Sequence, residues 1–380
     1  VYSVGGLTDQ PDANGAVPIS RVAERFQYNK KTGAGRWLPQ NQVQQSGFHW
    51  AMYPSLVLMQ DGRLFYTGSS VFGRGVERAT GADGVSGGGV YDDGNNKKRP
   101  RYTEILGLRA HTNRDQSASV LLPPAQAQKV LTLGGGNAGN NATAHRHADV
   151  IDLKKATPRY RPAKQEIPLG MVNLAGKMQR QTGAMGKMYV SAVLLPDGKV
   201  METGGGLHQR ADPVYEASIF DPKTERFKPV AADPQPRTYH SSAILLPDGR
   251  VLAIGNNPNY DAGQANYFDQ DMTIFTPPYL ARGPRPSLTL ARPKTGWAYG
   301  SYQKFRSTQP ITSASLIRPA AVTHSSDPNQ RSVALPYKTA KGVTTVKLNA
   351  NPNLTPPGWY MLFVTNKSGV PSVAKWIHVG

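Results

Sequence analysis

At 380 residues the chain is long enough for two or three domains with sizeable cores, and 39 glycines, 31 prolines and only 18% charged residues point to short strands and tight turns. The absence of cysteine excludes a disulfide framework, a thiolate metal site and a cysteine nucleophile, and no apolar run reaches the roughly 18 residues of a membrane-spanning helix. Forty-four Lys and Arg against 25 Asp and Glu give +19, which attracts polyanions such as an anionic glycan or a cell envelope; the densest basic stretch, NNKKRPRY, has one aromatic and no nucleic-acid-binding motif around it, so no nucleic-acid partner is expected.

The N-terminal VYSVGG reads as the second strand of a hairpin whose first strand is missing. It has none of the regions of a signal peptide, so the sequence opens as if cut. Four related hairpins follow: YPSLVLMQDGRLFYTGSS from residue 53, SASVLLPPAQAQKVLTLGGG from 117, YVSAVLLPDGKVMETGGG from 189 and YHSSAILLPDGRVLAIGNN from 239. In each, an apolar, β-branched run meets a turn and returns as a second alternating run. Asp61-Gly62, Asp197-Gly198 and Asp248-Gly249 supply the positive φ that a tight hairpin needs, and Pro123-Pro124 marks a longer loop in the second copy.

Outer-strand candidates lie between the hairpins in ERFQYNKKTGAGRW, HADVIDL, EASIFDPKTERFKPV and DMTIFTPPYL. A hairpin with two outer strands is one four-stranded sheet, and such sheets arranged radially make a kelch-type β-propeller, here incomplete, over residues 1–284. The long loops 74–101 and 137–147 are expected to carry function. HRH at 145–147 lies in an Asn- and Gly-rich loop and reads as solvated. Glycine runs that follow strands without opening a helix do not support dinucleotide binding, and NAT, NLT and NKS are sequons that matter only in a eukaryotic secretory host.

After the proline-rich RGPRPS the composition changes. Short strands in TSASLIRPAAVTH, RSVALPY, TTVKLNA, GWYMLFVTN and SVAKWIHV predict an immunoglobulin-like β-sandwich over 285–380. The fold class is therefore all-β.

Tyr239 and His240 stand side by side at the start of the last hairpin. Adjacent residues of a flat strand point to opposite faces, so both can serve one site only from a twisted strand start on the axial rim. Aligning the hairpins on their turns puts Tyr53, Tyr189 and His240 at equivalent starts. Tyr53 and Tyr189, with nearby Trp50, are thus candidates to line a pocket; packing between blades is the equal alternative.

Three stretches, RTYHSSAILLPDGRV, ASLIRPAAVTHSSDPNQRSVALP and PPGWYMLFVTNKSGVPSVAKWIHV, together with the hairpins, resemble the galactose oxidase and glyoxal oxidase family of copper radical oxidases. The resemblance implies a copper held by Tyr239, His240 and His324, with Tyr239 as the catalytic base. It implies oxidation of a primary alcohol or aldehyde, reduction of dioxygen to hydrogen peroxide, and an extracellular or envelope-associated location. It also implies a radical tyrosine cross-linked to cysteine, expected about ten residues upstream of Val1, on an N-terminal polypeptide that completes the propeller. Imidazole and phenolate suit Cu(II). The alternative is a non-catalytic propeller that binds an anionic glycan or envelope polymer.

Overall fold

The computed structural model describes residues 2–7, 23–29, 31–38, 48–71, 76–78, 85–94, 98–137, 144–208, 210–257, 269–291 and 296–380. These residues form antiparallel sheets and short 3-10 turns, and no helix is long and apolar enough to cross a membrane. Five sheets follow one another as blades. The first holds Tyr2–Val4, Ala23–Tyr28 and Gly35–Trp37, and the second Leu56–Leu58, Leu64–Tyr66, Gly89–Asp92 and Arg101–Glu104. The third starts with Ala118–Leu121 and Lys129–Leu133, the fourth with Ser191–Leu194 and Val200–Thr203, the fifth with Ser242–Leu245 and Val251–Ile254. In each of these three the hairpin is followed outward by further strands, Ala148–Asp152, Ala217–Asp221 and Met272–Phe275 being the next in order.

The repeated sequence yields repeated hydrogen bonding. The glycine N–H donates to the carbonyl three residues earlier at Gly62, Gly198 and Gly249, at 3.0, 3.0 and 2.9 Å. Each Asp also accepts from the N–H two residues on, at Arg63, Lys199 and Arg250. Innermost strands are buried on both faces because blades pack against each other: Val120, Leu131 and Val150 of the third blade meet Val190, Ala192 and Leu194 of the fourth. Burial of this kind is worth about 25 cal/mol per Å2 of apolar area.

The C-terminal residues form two four-stranded sheets. One orders Leu288–Leu290, Tyr302–Ser307, Val343–Lys347 and Tyr337–Ala340; the other orders Ser332–Ala334, Ile311–Ile317, Gly358–Asn366 and Lys375–Val379. Phe305, Val346, Leu316 and Leu362 fill the space between them. This sandwich docks on the turn ends of the blades. Asn351 Nδ2 donates to Gln60 O at 2.7 Å, Thr365 Oγ1 to Pro196 O at 3.4 Å, and Arg285 Nη2 to Asp248 O.

One expectation needs correction. His145 and His147 are half-buried, not solvated: their rings stack at 5.1 Å, His145 meets Asn113 and His147 meets Glu166. They border a buried ion cluster in which Asp149 binds Arg114 at 2.9 Å and Arg109 at 2.7 Å. Asn366 of the NKS sequon is 5% exposed and its amide donates to Gln309 and Pro284, which leaves it no room for a glycan as folded. Asn141 of NAT lies outside the described residues.

Candidate metal centre

The segment before the fifth hairpin is held from both sides. Arg237, 2% exposed, reaches Asp233, Asp269 and the Gly255 carbonyl. Thr238 N donates to Asn256 Oδ1 at 2.9 Å, and Ser241 returns both its N–H and its hydroxyl to Thr238 O. This tight turn puts His240 at φ +59°, so the chain reverses hand between Tyr239 and the strand at Ser242. The two rings consequently lie on the same side, stacked at 3.8 Å between centroids. The backbone crosses so close that a Cβ on Gly255 would meet His240 O at 2.6 Å, which only glycine permits.

The same left-handed step occurs at Gln116 (φ +59°) and Tyr189 (φ +63°), the equivalent positions of the third and fourth blades. Three neighbouring blades thus present a side chain to one rim by the same device. Tyr189 N donates to Gln116 O at 2.9 Å, which joins two of these starts directly.

His324 arrives from the other direction. The loop between the strands ending at Ile317 and beginning at Ser332 is knotted by Asp327, whose carboxylate accepts from Ala321, Asn329 and Gln330 N–H groups. Gln330 pins this loop to the innermost strand of the fourth blade, accepting from Leu194 N at 2.7 Å and donating to Ala192 O at 3.0 Å. From that mid-strand anchor the loop continues to the rim, where His324 and Ser325 adopt φ +50° and +59°.

There five rings converge. His324 Nε2 lies 3.3 Å from Tyr239 Oη, the His324 and His240 rings are 5.1 Å apart at 87°, and Tyr53 stacks on His324 at 4.4 Å. Tyr189 meets Tyr239 edge-on at 5.1 Å, with its hydroxyl buried, and the Arg210 guanidinium covers the Tyr239 ring at 3.8 Å. Burial holds the His240 pKa below its ordinary value, with Arg210 adding to the effect; burial, His240 and Arg210 together do the same to His324. Both imidazoles are therefore predominantly neutral at pH 7, and each has one ring nitrogen whose lone pair can serve as a metal donor. His324 Nδ1 is 2.8 Å from Thr323 Oγ1; with Nδ1 donating there, Nε2 is the lone-pair nitrogen facing Tyr239. Among the described residues no three His, Cys, Asp or Glu gather so as to hold a metal ion, so a site at this rim must draw on tyrosine oxygen as well as imidazole nitrogen.

Of the six residues singled out in the sequence, Tyr239, His240, His324, Tyr53 and Tyr189 meet here. Trp50 does not. It is 6% exposed in the second blade's core, edge-on to Tyr91 and Tyr102, which is the packing alternative. Sequence reasoning missed Arg210, which sits at φ +67° in the hairpin joining Gly206–His208 to Ala211–Pro213. The signal available was the glycine triplet ending the fourth blade's hairpin, which turns the chain back over the rim.

A family model described as the Glyoxal oxidase N-terminus matches residues 88–279, and one described as the Galactose oxidase-like, Early set domain matches 285–379. The chain belongs to the galactose oxidase and glyoxal oxidase family. Relatives in this family include a galactose oxidase of Gibberella zeae, 30% identical over 66% of this chain and 36% of its own length. An aldehyde oxidase GLOX1 of Arabidopsis thaliana is 29% identical over 52% of this chain and 37% of its own length. The chain thus spans little more than a third of the length of these relatives. A fungal alcohol oxidase solved in complex with copper shares the fold over 99% of this chain and 85% of its own, with a TM-score of 0.61 and 21% identity.

Proposed function

We propose that this rim is the copper site of an oxidase that converts a primary alcohol or aldehyde while dioxygen is reduced to hydrogen peroxide. The observation that carries the reading is the meeting of Tyr239, His240 and His324 with Tyr53 at one point. Two neutral imidazoles with two phenols are a nitrogen and oxygen donor set of the kind that tetragonal Cu(II) prefers. Copper held here would accept one of the two electrons that leave the substrate; the other needs a second one-electron acceptor, the radical tyrosine that the family resemblance places upstream of Val1, and dioxygen takes up both as hydrogen peroxide.

The protein's own groups do the rest. His240 and His324 would hold the metal, and Tyr239 would serve as ligand and as the base that takes the substrate hydroxyl proton. The Arg210 guanidinium lies over the Tyr239 ring and places a positive charge beside the site. We propose Tyr53 as a further phenol of the site, beside the radical tyrosine expected upstream of Val1. No cysteine occurs in the 380 residues, so a Cys–Tyr thioether is not formed from them alone. An extracellular or envelope-associated setting fits an oxidase that releases peroxide.

Copper titration followed by electron paramagnetic resonance tests the reading. Hyperfine coupling to two nitrogens, lost in His240→Ala and His324→Ala variants, supports it. A spectrum indifferent to both substitutions sinks it.

A further inference from the structure

A second surface lies on the C-terminal sandwich, on the outer face of the sheet built from Tyr302–Ser307, Val343–Lys347 and Tyr337–Ala340. Alternation sends Phe305 into the core and leaves Tyr302 and Lys304 outside. Across the sheet Tyr302 faces Lys347, and Lys304 and Lys338 both face Thr345, one from each side. Lys341 closes the far end, so four lysines rim a groove of about 730 Å3 with no acidic residue in its lining.

The floor is different in kind. Val343, Ala340 and Pro336 make it apolar, and Tyr302 stands 65% exposed at one end with Lys347 Nζ 5.5 Å from its ring centroid. Two lysines either side of one threonine repel each other, a cost that side-chain pairing in a sheet normally avoids. No partner in the lining offsets it. The surrounding sequence does not either: residues 285–380 hold twelve Lys and Arg and a single acidic residue, Asp327.

We propose that this face binds an acidic polysaccharide, a polyuronate in chemical class. A sugar ring offers an apolar C–H face to the floor and to Tyr302, while its carboxylate at the ring edge meets the lysine rim. Charge complementarity alone would also admit a polyphosphate backbone. Lysine does not distinguish the two anions; the apolar floor and the exposed Tyr302 ring favour a chain in which every charged unit also carries an apolar ring face. The groove is independent of the metal centre, so its test does not depend on the oxidase reading.

The experiment measures binding of the full, copper-free chain to polygalacturonate, to its methyl ester, to duplex DNA and to phosphatidylserine vesicles. The triple variant Lys304→Gln, Lys338→Gln, Lys347→Gln is expected to weaken polygalacturonate binding on the order of tenfold or more at low salt. Tyr302→Ala is expected to weaken it several-fold, while Lys154→Gln with Lys155→Gln, on an exposed turn of the third blade, changes it less than about twofold. The methyl ester is expected to bind weakly. Wild-type affinity in the triple variant overturns the proposal, as does binding of DNA or vesicles as tight as that of polygalacturonate. Should the triple variant lose its thermal transition, Lys347→Gln alone decides the same question.

Discussion

Tyr53 lies flat against His324, their ring centroids 4.4 Å apart and their planes within 11°, although one residue opens the second blade and the other comes from the C-terminal domain. The contact joins a phenol to an imidazole whose other neighbours are Tyr239 and His240. Tyr53→Phe keeps the stack and deletes only the oxygen. The copper-loaded variant is expected to keep two-nitrogen hyperfine coupling, to change its phenolate-to-copper absorption, and to bind copper about tenfold more weakly. An unchanged absorption spectrum would place the second phenol elsewhere.

Arg210 opposes protonation of both histidines. Removing its charge raises both pKa values toward normal, while burial still holds them low. In Arg210→Gln the imidazole titrations followed by NMR in the metal-free chain should move to higher pH, and Arg210→Lys should move them less. A shift to lower pH contradicts this electrostatic account.

The hairpins were legible because Asp-Gly turns and alternating apolar runs are local signals, and the structure repeats the same bonds at Gly62, Gly198 and Gly249. The strand start at Tyr239 and His240 was also readable, since two neighbours can share a site only where the strand is broken. What was not readable depended on contacts distant in sequence. Trp50 was drawn to the rim by its nearness to Tyr53, yet Tyr91 and Tyr102 claim its ring. Arg210 gave no apolar period and no motif. HRH looked solvated because its partners Asn113 and Glu166 lie outside its own loop.

Lys187, two residues before Tyr189, is buried with Glu202: their side chains are 1% and 2% exposed and 3.0 Å apart. Ser218 Oγ completes the carboxylate at 2.6 Å. Lys187→Ala strands a buried carboxylate and is expected to cost about 3–5 kcal/mol in denaturant unfolding. The double variant Lys187→Met, Glu202→Leu removes both charges and should recover most of that. A double variant as unstable as the single one would mean the loss is packing rather than charge.

His145 has its pKa lowered from 6.5 to about 4, chiefly by burial and then by His147 and Arg114. The unfolded chain therefore takes up this proton first as the pH falls. Stability contributed by the neutral ring is full above pH 6.5, declines below it, and levels off under about pH 4. The drop in melting temperature between pH 7 and pH 4.5 should be smaller in His145→Asn than in the native chain. An equal drop would assign the acid sensitivity to other groups.

Gln330 touches none of the rings, yet it fixes where His324 sits. Its side chain is 7% exposed and bridges Leu194 N and Ala192 O, so the loop enters the rim at a set height along the fourth blade's inner strand. Gln330→Ala leaves two buried backbone groups without these partners, at a cost of about 1–3 kcal/mol, and frees the loop between Asp327 and the sandwich. Copper affinity should fall about tenfold with the donor set intact, as happens when a supporting partner of a ligand is lost. Gln330→Glu keeps an acceptor for Leu194 but meets Ala192 O with an oxygen, so it should restore affinity only when protonated at acid pH. Loss of stability with unchanged copper affinity would show that His324 is held by Tyr53 and Tyr239 rather than through its loop.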